Sequence, residues 1–262
     1  MAVLNVTPDS FSDGGRFTSA TKASEQALQM ICEGAAIIDV GGESTRPGAK
    51  PVSVNEEIDR VIPVIELLAT EISVPISIDT RKPEVMTAAI AAGAGFVNDI
   101  TALSDPTSRQ VVADSGVPVC LMHMQGEPGT MQETPVYGDV LTDIVQYFSD
   151  RIALCESSGI ARENILIDPG FGFGKTDAHN LELLARLDEF ATLNAPLLVG
   201  LSRKSMIGRL LDLDVNQRLV PSVVLAFFAI ERGANIVRVH DVKETCQAIQ
   251  LLQLVQQARK RM

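Results

Sequence analysis

Short apolar runs alternate with longer amphipathic segments from one end of the chain to the other. The runs Ala2–Val6, Ala35–Val40, Val74–Ile78, Gly95–Val97, Val117–Met122, Asn164–Ile167, Pro196–Leu201 and Asn235–Val239 read as strands. The segments between them read as helices, starting at Thr21–Glu33. Ser53 and Glu56 have capping-box spacing, and behind them Ile58, Val61, Ile62 and Ile65 share one face. Pro83 suits a first helical position, and Asp105-Pro106 starts another helix. Val140–Ser157 and Leu181–Phe190 follow, then one or two helices to Arg232. A last helix carries Ala248, Leu251, Leu252 and Val255 on one face. About eight strand–helix units predict a closed α/β (TIM) (β/α)8 barrel, one domain over residues 1–262, in preference to an open doubly wound sheet. The strands read as apolar throughout, as expected when both faces are covered.

The runs stop on polar residues. In such a barrel the carboxyl rim collects Asn5, Thr45 and Arg46, Asp79, Asn98, Met122, Asp168, Lys204 and Ser205, and Arg238 and His240. Asp79, Asn98 and Asp168 suit a heterocycle rich in N–H donors. Lys204, Arg238 and His240 suit a phosphate or carboxylate. Asn5 is a neutral oxygen ligand, suited to a Mg²⁺ already held by a diphosphate. Taken singly, each has an ordinary reading. Asn5 and Asn98 could close turns, Asp79 could cap a helix, Arg46 could be a solvated charge, and His240 could pair with Asp241. His123 reads as core-facing and His179 as surface. Taken together, separate strands would all have to end by accident in residues that fit one ligand.

The densest stretch is NILIDPGFGFGK, from Asn164 to Lys175. Pro169 stops the strand, leaving Asp168 at its end. Gly170, Gly172 and Gly174 allow tight backbone, and Phe171 and Phe173 offer flat apolar surface to a planar ligand. Asp168 as a helix cap and Phe173 as plain core are the ordinary alternatives. The phosphate-loop pattern that Lys175-Thr176 nearly completes needs glycine at position 169 and is excluded by Pro169.

Composition narrows the classes. Hydrophobic residues make up 46% and aromatics 4%, with no Trp, which suits an aliphatic α/β core. A formal net charge of −11 argues against nucleic acid and anionic membranes. Cys32, Cys120, Cys155 and Cys246 form no CxxC pair and read as free thiols of a reducing compartment. The apolar run Val223–Ile230 is too short to span a bilayer, and no signal peptide is seen, so a cytoplasmic protein is expected.

LNVTPDSFSDGG (Leu4–Gly15), IDVGGESTRPGA (Ile38–Ala49), SIDT at Ser77, VNDI at Val97, LMHMQG at Leu121, DPGFGFGK at Asp168, SRKS at Ser202 and RVHDV at Arg238 are similar, in order and spacing, to the signature blocks of the dihydropteroate synthases. The resemblance covers nearly the whole chain. It implies a TIM barrel, a homodimer, and condensation of 6-hydroxymethyl-7,8-dihydropterin diphosphate with p-aminobenzoate, with Mg²⁺. It implies that Asn98 and Asp168 hold the pterin, with Asp79 and Lys204 close by and Met122, Gly200 and Val239 in the substrate pocket. Asn5 would help hold Mg²⁺, with Arg238, His240 and Thr45 on the diphosphate substrate. Arg46, Pro47, Phe173, Lys204 and Ser205 would border p-aminobenzoate, whose carboxylate would lie at Ser205 and the start of the following helix. Asp79, Lys204, Arg238 and His240 are the catalytic set so implied. Sulfonamides are expected to compete with p-aminobenzoate, and the loops after Asn5 and Gly42 to close over the substrates. In this family a short segment usually precedes the first strand, and the helix holding Pro221-Ser222 and Phe227-Phe228 carries smaller residues. Two other classes were weighed. A pterin methyltransferase serving a corrinoid leaves Lys204, Ser205, Arg238 and His240 unexplained. A non-catalytic relative predicts damage at Asn5 or the cationic cluster, and none is seen.

Overall fold

The computed structural model describes residues 1–6, 16–44, 51–126 and 129–260, with the side chains of 16–19 and 260 left undescribed. Eight short parallel strands alternate with helices. The strands are β1 (Ala2–Asn5), β2 (Ile38–Gly41), β3 (Ile76–Asp79), β4 (Phe96–Asp99), β5 (Val119–Met122), β6 (Ile165–Asp168), β7 (Leu198–Val199) and β8 (Ile236–Val237). The helices are α1 (Arg16–Cys32), α2 (Val54–Glu71), α3 (Pro83–Ala92), α4 (Pro106–Ser115), α5 (Val140–Ser157), α6 (Asp177–Ala185), α7 (Ser205–Leu211), α8 (Leu219–Glu231) and α9 (Val242–Lys260).

β1 to β6 pair in sequence order, and β7 pairs with β8. The ring closes at two seams. Ile167 N–H donates to Pro196 O at 3.0 Å, joining β6 to β7. Val3 N–H donates to Val239 O at 3.0 Å and Val239 N–H to Met1 O at 2.9 Å, joining β8 to β1. The Met1 ammonium donates to Val237 O at 3.0 Å, and burial lowers its pKa. The barrel predicted from the strand–helix repeat is therefore present, and its amino end closes on Met1 itself.

Helix starts follow local chemistry. Ser53 Oγ accepts from Glu56 N–H, Asp105 from Thr107 N–H, Asp139 from Thr142 N–H, and Pro83 and Pro106 occupy first positions. Two expectations are corrected. The helix foreseen at Leu181–Phe190 is α6 followed by a 3₁₀ segment at Leu187–Leu193. Most strands are shorter than the apolar runs, though β4 is longer and β6 equal in length, and the strands are not apolar throughout. Positions facing the helices, such as Leu4, Val40, Ile78, Val97, Leu121 and Ile167, join the main core. Positions of the other parity face inward. At the amino end Phe96, Cys120, Leu166 and Leu198 form a separate cluster with Met1 and Ile236. Toward the carboxyl end the inward positions are Asn5, Gly41, Asp79 and Asn98, in register with one another, and Met122 and Asp168, in register with each other one pleat beyond Cys120 and Leu166. The core is thus a sleeve around the strands, and the polar inward groups gather at the carboxyl end. No helix among the described residues is long and apolar enough to cross a membrane.

Candidate active site

The centre of the rim is Arg238, just beyond β8. Its Nε donates to Asp39 Oδ2 at 2.6 Å and a terminal nitrogen donates to Asp79 Oδ2 at 2.7 Å. Asp39 is fully buried and also accepts from Asn98 Nδ2 at 3.2 Å. Strands β2, β3, β4 and β8 thus converge on one ionic cluster. Burial opposes the Arg238 charge, but Asp39 and Asp79 more than offset it and raise its pKa. Burial drives Asp79 up to about 7 against the pull of Arg238. A methyl group built on Gly41 would lie 3.7 Å from Asp79 Oδ2 and 3.8 Å from Asn5 Oδ1, so this glycine leaves a cradle between the two oxygens. Gly200 leaves room against Arg238 in the same way.

Asp168, at the end of β6, is buried, and its Oδ1 accepts from Gly170 N–H at 2.8 Å. It does not cap α6; Thr176 does, with His179 completing the capping box. Burial raises the Asp168 pKa, while Gly170 N–H, Lys204, Lys175 and Arg238 pull it back. Lys204 stands with its ammonium 4.1 Å from the centre of the Phe173 ring. Burial lowers its pKa to about 8, with Asp168 opposing and Arg238 adding to the drop. Phe173 joins Met122, Ile100 and Met131 in a small apolar cluster separate from the main core, with Met124 against it. The result is a flat apolar wall with carboxylates on one side and a lysine above.

The outermost groups sit on two linked loops. His240 N–H donates to Ser202 Oγ at 3.1 Å, and His240 Nδ1 lies 3.0 Å from the same oxygen. Asp241 pairs with Arg203. Arg203 holds a left-handed backbone at φ 56°, which turns its side chain to Asp241 and lets Lys204 take the site position. Ser205 is exposed at the first turn of α7.

The structure brings together Asn5, Asp79, Asn98, Met122, Asp168, Phe173, Gly200, Lys204 and Arg238 at one rim, with Ser205 and His240 on the loops beside it. Val239 has its side chain in the main core, and its N–H and carbonyl both close the barrel. Thr45, Arg46 and Pro47 lie outside the described residues, as does most of the loop after Asn5. Asp39 was not foreseen as a site residue, although a carboxylate inside the apolar run IIDV, two residues before Gly41, was the signal for it. Asp99 is its opposite: it faces outward, accepts from Thr101 and Leu103 N–H groups, and folds the turn after β4.

A family model described as pterin binding enzyme matches residues 1–240. The dihydropteroate synthase of Escherichia coli strain K12 is 55% identical over 260 residues, covering 99% of this chain and 92% of that protein. The structure of Yersinia pestis dihydropteroate synthase with a sulfonamide drug complex is similar at TM-score 0.93 and 50% identity, covering 98% of this chain and 94% of that one. That of Xanthomonas albilineans dihydropteroate synthase with 4-aminobenzoic acid gives TM-score 0.92 and 49% identity, covering 98% and 92%.

Proposed function

Because the chain belongs to the dihydropteroate synthases, pterin-binding transferases, we propose that its barrel rim joins 6-hydroxymethyl-7,8-dihydropterin diphosphate to p-aminobenzoate, releasing pyrophosphate. In this reading Asp168, Asp79 and Asn98 accept the N–H groups of the pterin. Asn98 gives its amide N–H to Asp39, which turns its oxygen to the ligand. Met122 and the face of Phe173 cover the ring. Lys204, Arg238 and His240 meet the diphosphate and the growing charge on it.

The carbon–oxygen bond breaks with its electron pair going to the diphosphate. The carbon left behind is stabilised by the electron-rich pterin between Asp79 and Asp168. The arylamine lone pair then forms the new carbon–nitrogen bond, and the amine sheds a proton, so the reaction needs no covalent nucleophile. Phe173, Lys204 and Ser205 border the arylamine; by resemblance alone, Arg46 and Pro47 border it too and Thr45 lies on the diphosphate substrate.

The donor set suits Mg²⁺ that arrives on a diphosphate. No group of three or more His, Cys, Asp or Glu forms a cage among the described residues. Asn5 Oδ1 instead faces the cradle at Gly41 as a single neutral ligand. When bound, the ion supplies charge neutralisation to the departing diphosphate.

The observation that carries this reading is the convergence of Asp39, Asp79 and Arg238 beside Asp168 and Lys204 at one end of the barrel. The test is product formation from the two substrates with Mg²⁺, with and without chelator; a folded protein with no turnover would overturn it. Pairing of two copies is supported by the exposed Val220, Val224 and Phe228 on α8 and Leu251, Leu254 and Val255 on α9, and light scattering checks it. Four free thiols among the described residues fit a reducing cytoplasm, which localisation of a tagged chain checks.

A further inference from the structure

Lys175 ends the DPGFGFGK block, yet its side chain is only 1% exposed and no carboxylate among the described residues holds it in an ion pair. Its ammonium is ringed by acceptors: His123 Nδ1 at 2.9 Å, Phe173 O at 2.9 Å, Gly170 O at 3.0 Å and His123 O at 3.3 Å. Two of these carbonyls belong to the loop that Lys175 terminates, so the loop is wrapped around its own lysine. With the ammonium donating, His123 is neutral and carries its proton on Nε2.

Other polar groups of the loop are held as well. Gly172 N–H donates to Asn180 Oδ1 at 2.8 Å, Tyr137 OH donates to Gly174 O at 2.7 Å, and Gln132 donates to Gly172 O. Backbone proximity gives an independent sign of the same clamp. A methyl on Gly170 would fall 2.0 Å from His123 O and one on Gly174 2.4 Å from Gln125 O, and both glycines have positive φ. The loop therefore lies flat on the segment after β5, with the ammonium between them.

We propose that Lys175 is a positioning residue whose buried ammonium holds the Gly170 and Phe173 carbonyls against His123, and so sets the Phe173 ring beneath Lys204 and Asp168 toward the barrel mouth. This rests on the proposed reading of the site, in which Phe173 borders the arylamine. No neutral side chain of similar length supplies three donors to this shell.

The test uses the full chain with Lys175→Met and His123→Leu, the latter removing only the ring acceptor. A purely structural role lowers the active fraction, hence apparent kcat, and leaves each KM alone. Positioning raises KM for p-aminobenzoate by about tenfold in K175M, about 1.4 kcal/mol of binding lost when the loop carrying Phe173 is no longer clamped. It raises KM by a smaller factor in H123L, with kcat held within about threefold in both. Wild-type KM values in folded K175M overturn the proposal. Should K175M fail to fold, H123L decides in the same way, and an unchanged KM there overturns it. The wild type run alongside separates the two claims, since a wild type without turnover sinks the reading of the site.

Discussion

Replacing Asp39 by Asn tests whether the ionic cluster around Arg238 is a working part of the site. The two side chains have the same shape, so the lesion is one of charge and hydrogen bonding. Asp39 is fully buried and gives one oxygen to both Arg238 Nε and Asn98 Nδ2. Its other oxygen has no hydrogen-bond partner among the described residues. In the variant the amide oxygen can keep both bonds, but the bond to Arg238 falls from charge-assisted to neutral, a loss of about 1–1.5 kcal/mol. The new amide N–H donors then occupy the partnerless side, costing about 1–3 kcal/mol. Asp79 still balances the guanidinium, so the total, about 2–4.5 kcal/mol, does not reach the top of the roughly 3–5 kcal/mol of a fully broken buried pair. If about 2 kcal/mol of this reaches the transition state, kcat/KM for the pterin diphosphate falls about 30-fold. Steady-state rates at saturating p-aminobenzoate, with thermal melting alongside, measure both shares. Activity within about threefold of wild type and an unmoved melting temperature would show that Asp79 alone orients Arg238 and would refute the argument.

Four further outcomes follow from the same geometry. Asp168→Ala removes a buried acceptor at the rim and abolishes measurable pterin diphosphate binding by calorimetry; wild-type affinity would displace the site. Gly174→Ala forces a left-handed alanine into Gln125 O, costing upwards of about 2 kcal/mol, read as a lowered urea midpoint. Lys204 is cationic only below about 8, so affinity for the anionic substrate falls as pH rises through that value, and a flat profile to well above it contradicts the assignment. Burial and Lys175 lower the His123 pKa from 6.5 to about 2. Folding thus favours the neutral ring, and this stability is present above pH 6.5 and lost as pH falls toward 2. Wild type therefore loses up to about 1.4 kcal/mol more per pH unit than H123L in that window.

The repeat of strand and helix was legible because most apolar runs give way to polar residues and α2, α3 and α4 carry their own start signals. Most of the site was legible for the same reason, since Asp79 and Asp168 terminate β3 and β6 and Asn98 stands one residue before the end of β4. What was not legible is pairing across the ring. Arg238 meets a carboxylate 199 positions away, and no local pattern announces that. Arg238 accordingly read as a cation reserved for the anion, whereas it stands between two carboxylates. Asp39 was passed over because it sits inside an apolar run, and Lys175 because the motif it nearly completes fails at Pro169. His179, read as surface, is a capping residue. The lengths of β7 and β8 were overestimated because Leu197 and Val239 pair only as single bridges, to Ile167 and Ala2, outside the two-residue ladder.

Inward and outward positions alternate along every strand, so fold and site are specified by one register. In β4, Val97 enters the outer core, Asn98 faces the mouth, and Asp99 turns back to close the following loop. A slip of one residue would bury the Asn98 amide among aliphatic side chains and put a valine beside Asp39. The outer sleeve of Val40, Ile78, Val97 and Ile167 therefore does more than supply stability, for it opposes every register in which Asp39, Asp79, Asn98 and Asp168 would point away from Arg238. The polar cluster adds its own veto from inside, because a buried guanidinium without its carboxylates is too costly to keep. Hydrophobic burial outside the barrel and charge pairing inside it select the same alignment, which is why substitutions in the sleeve will be felt in catalysis as well as in stability.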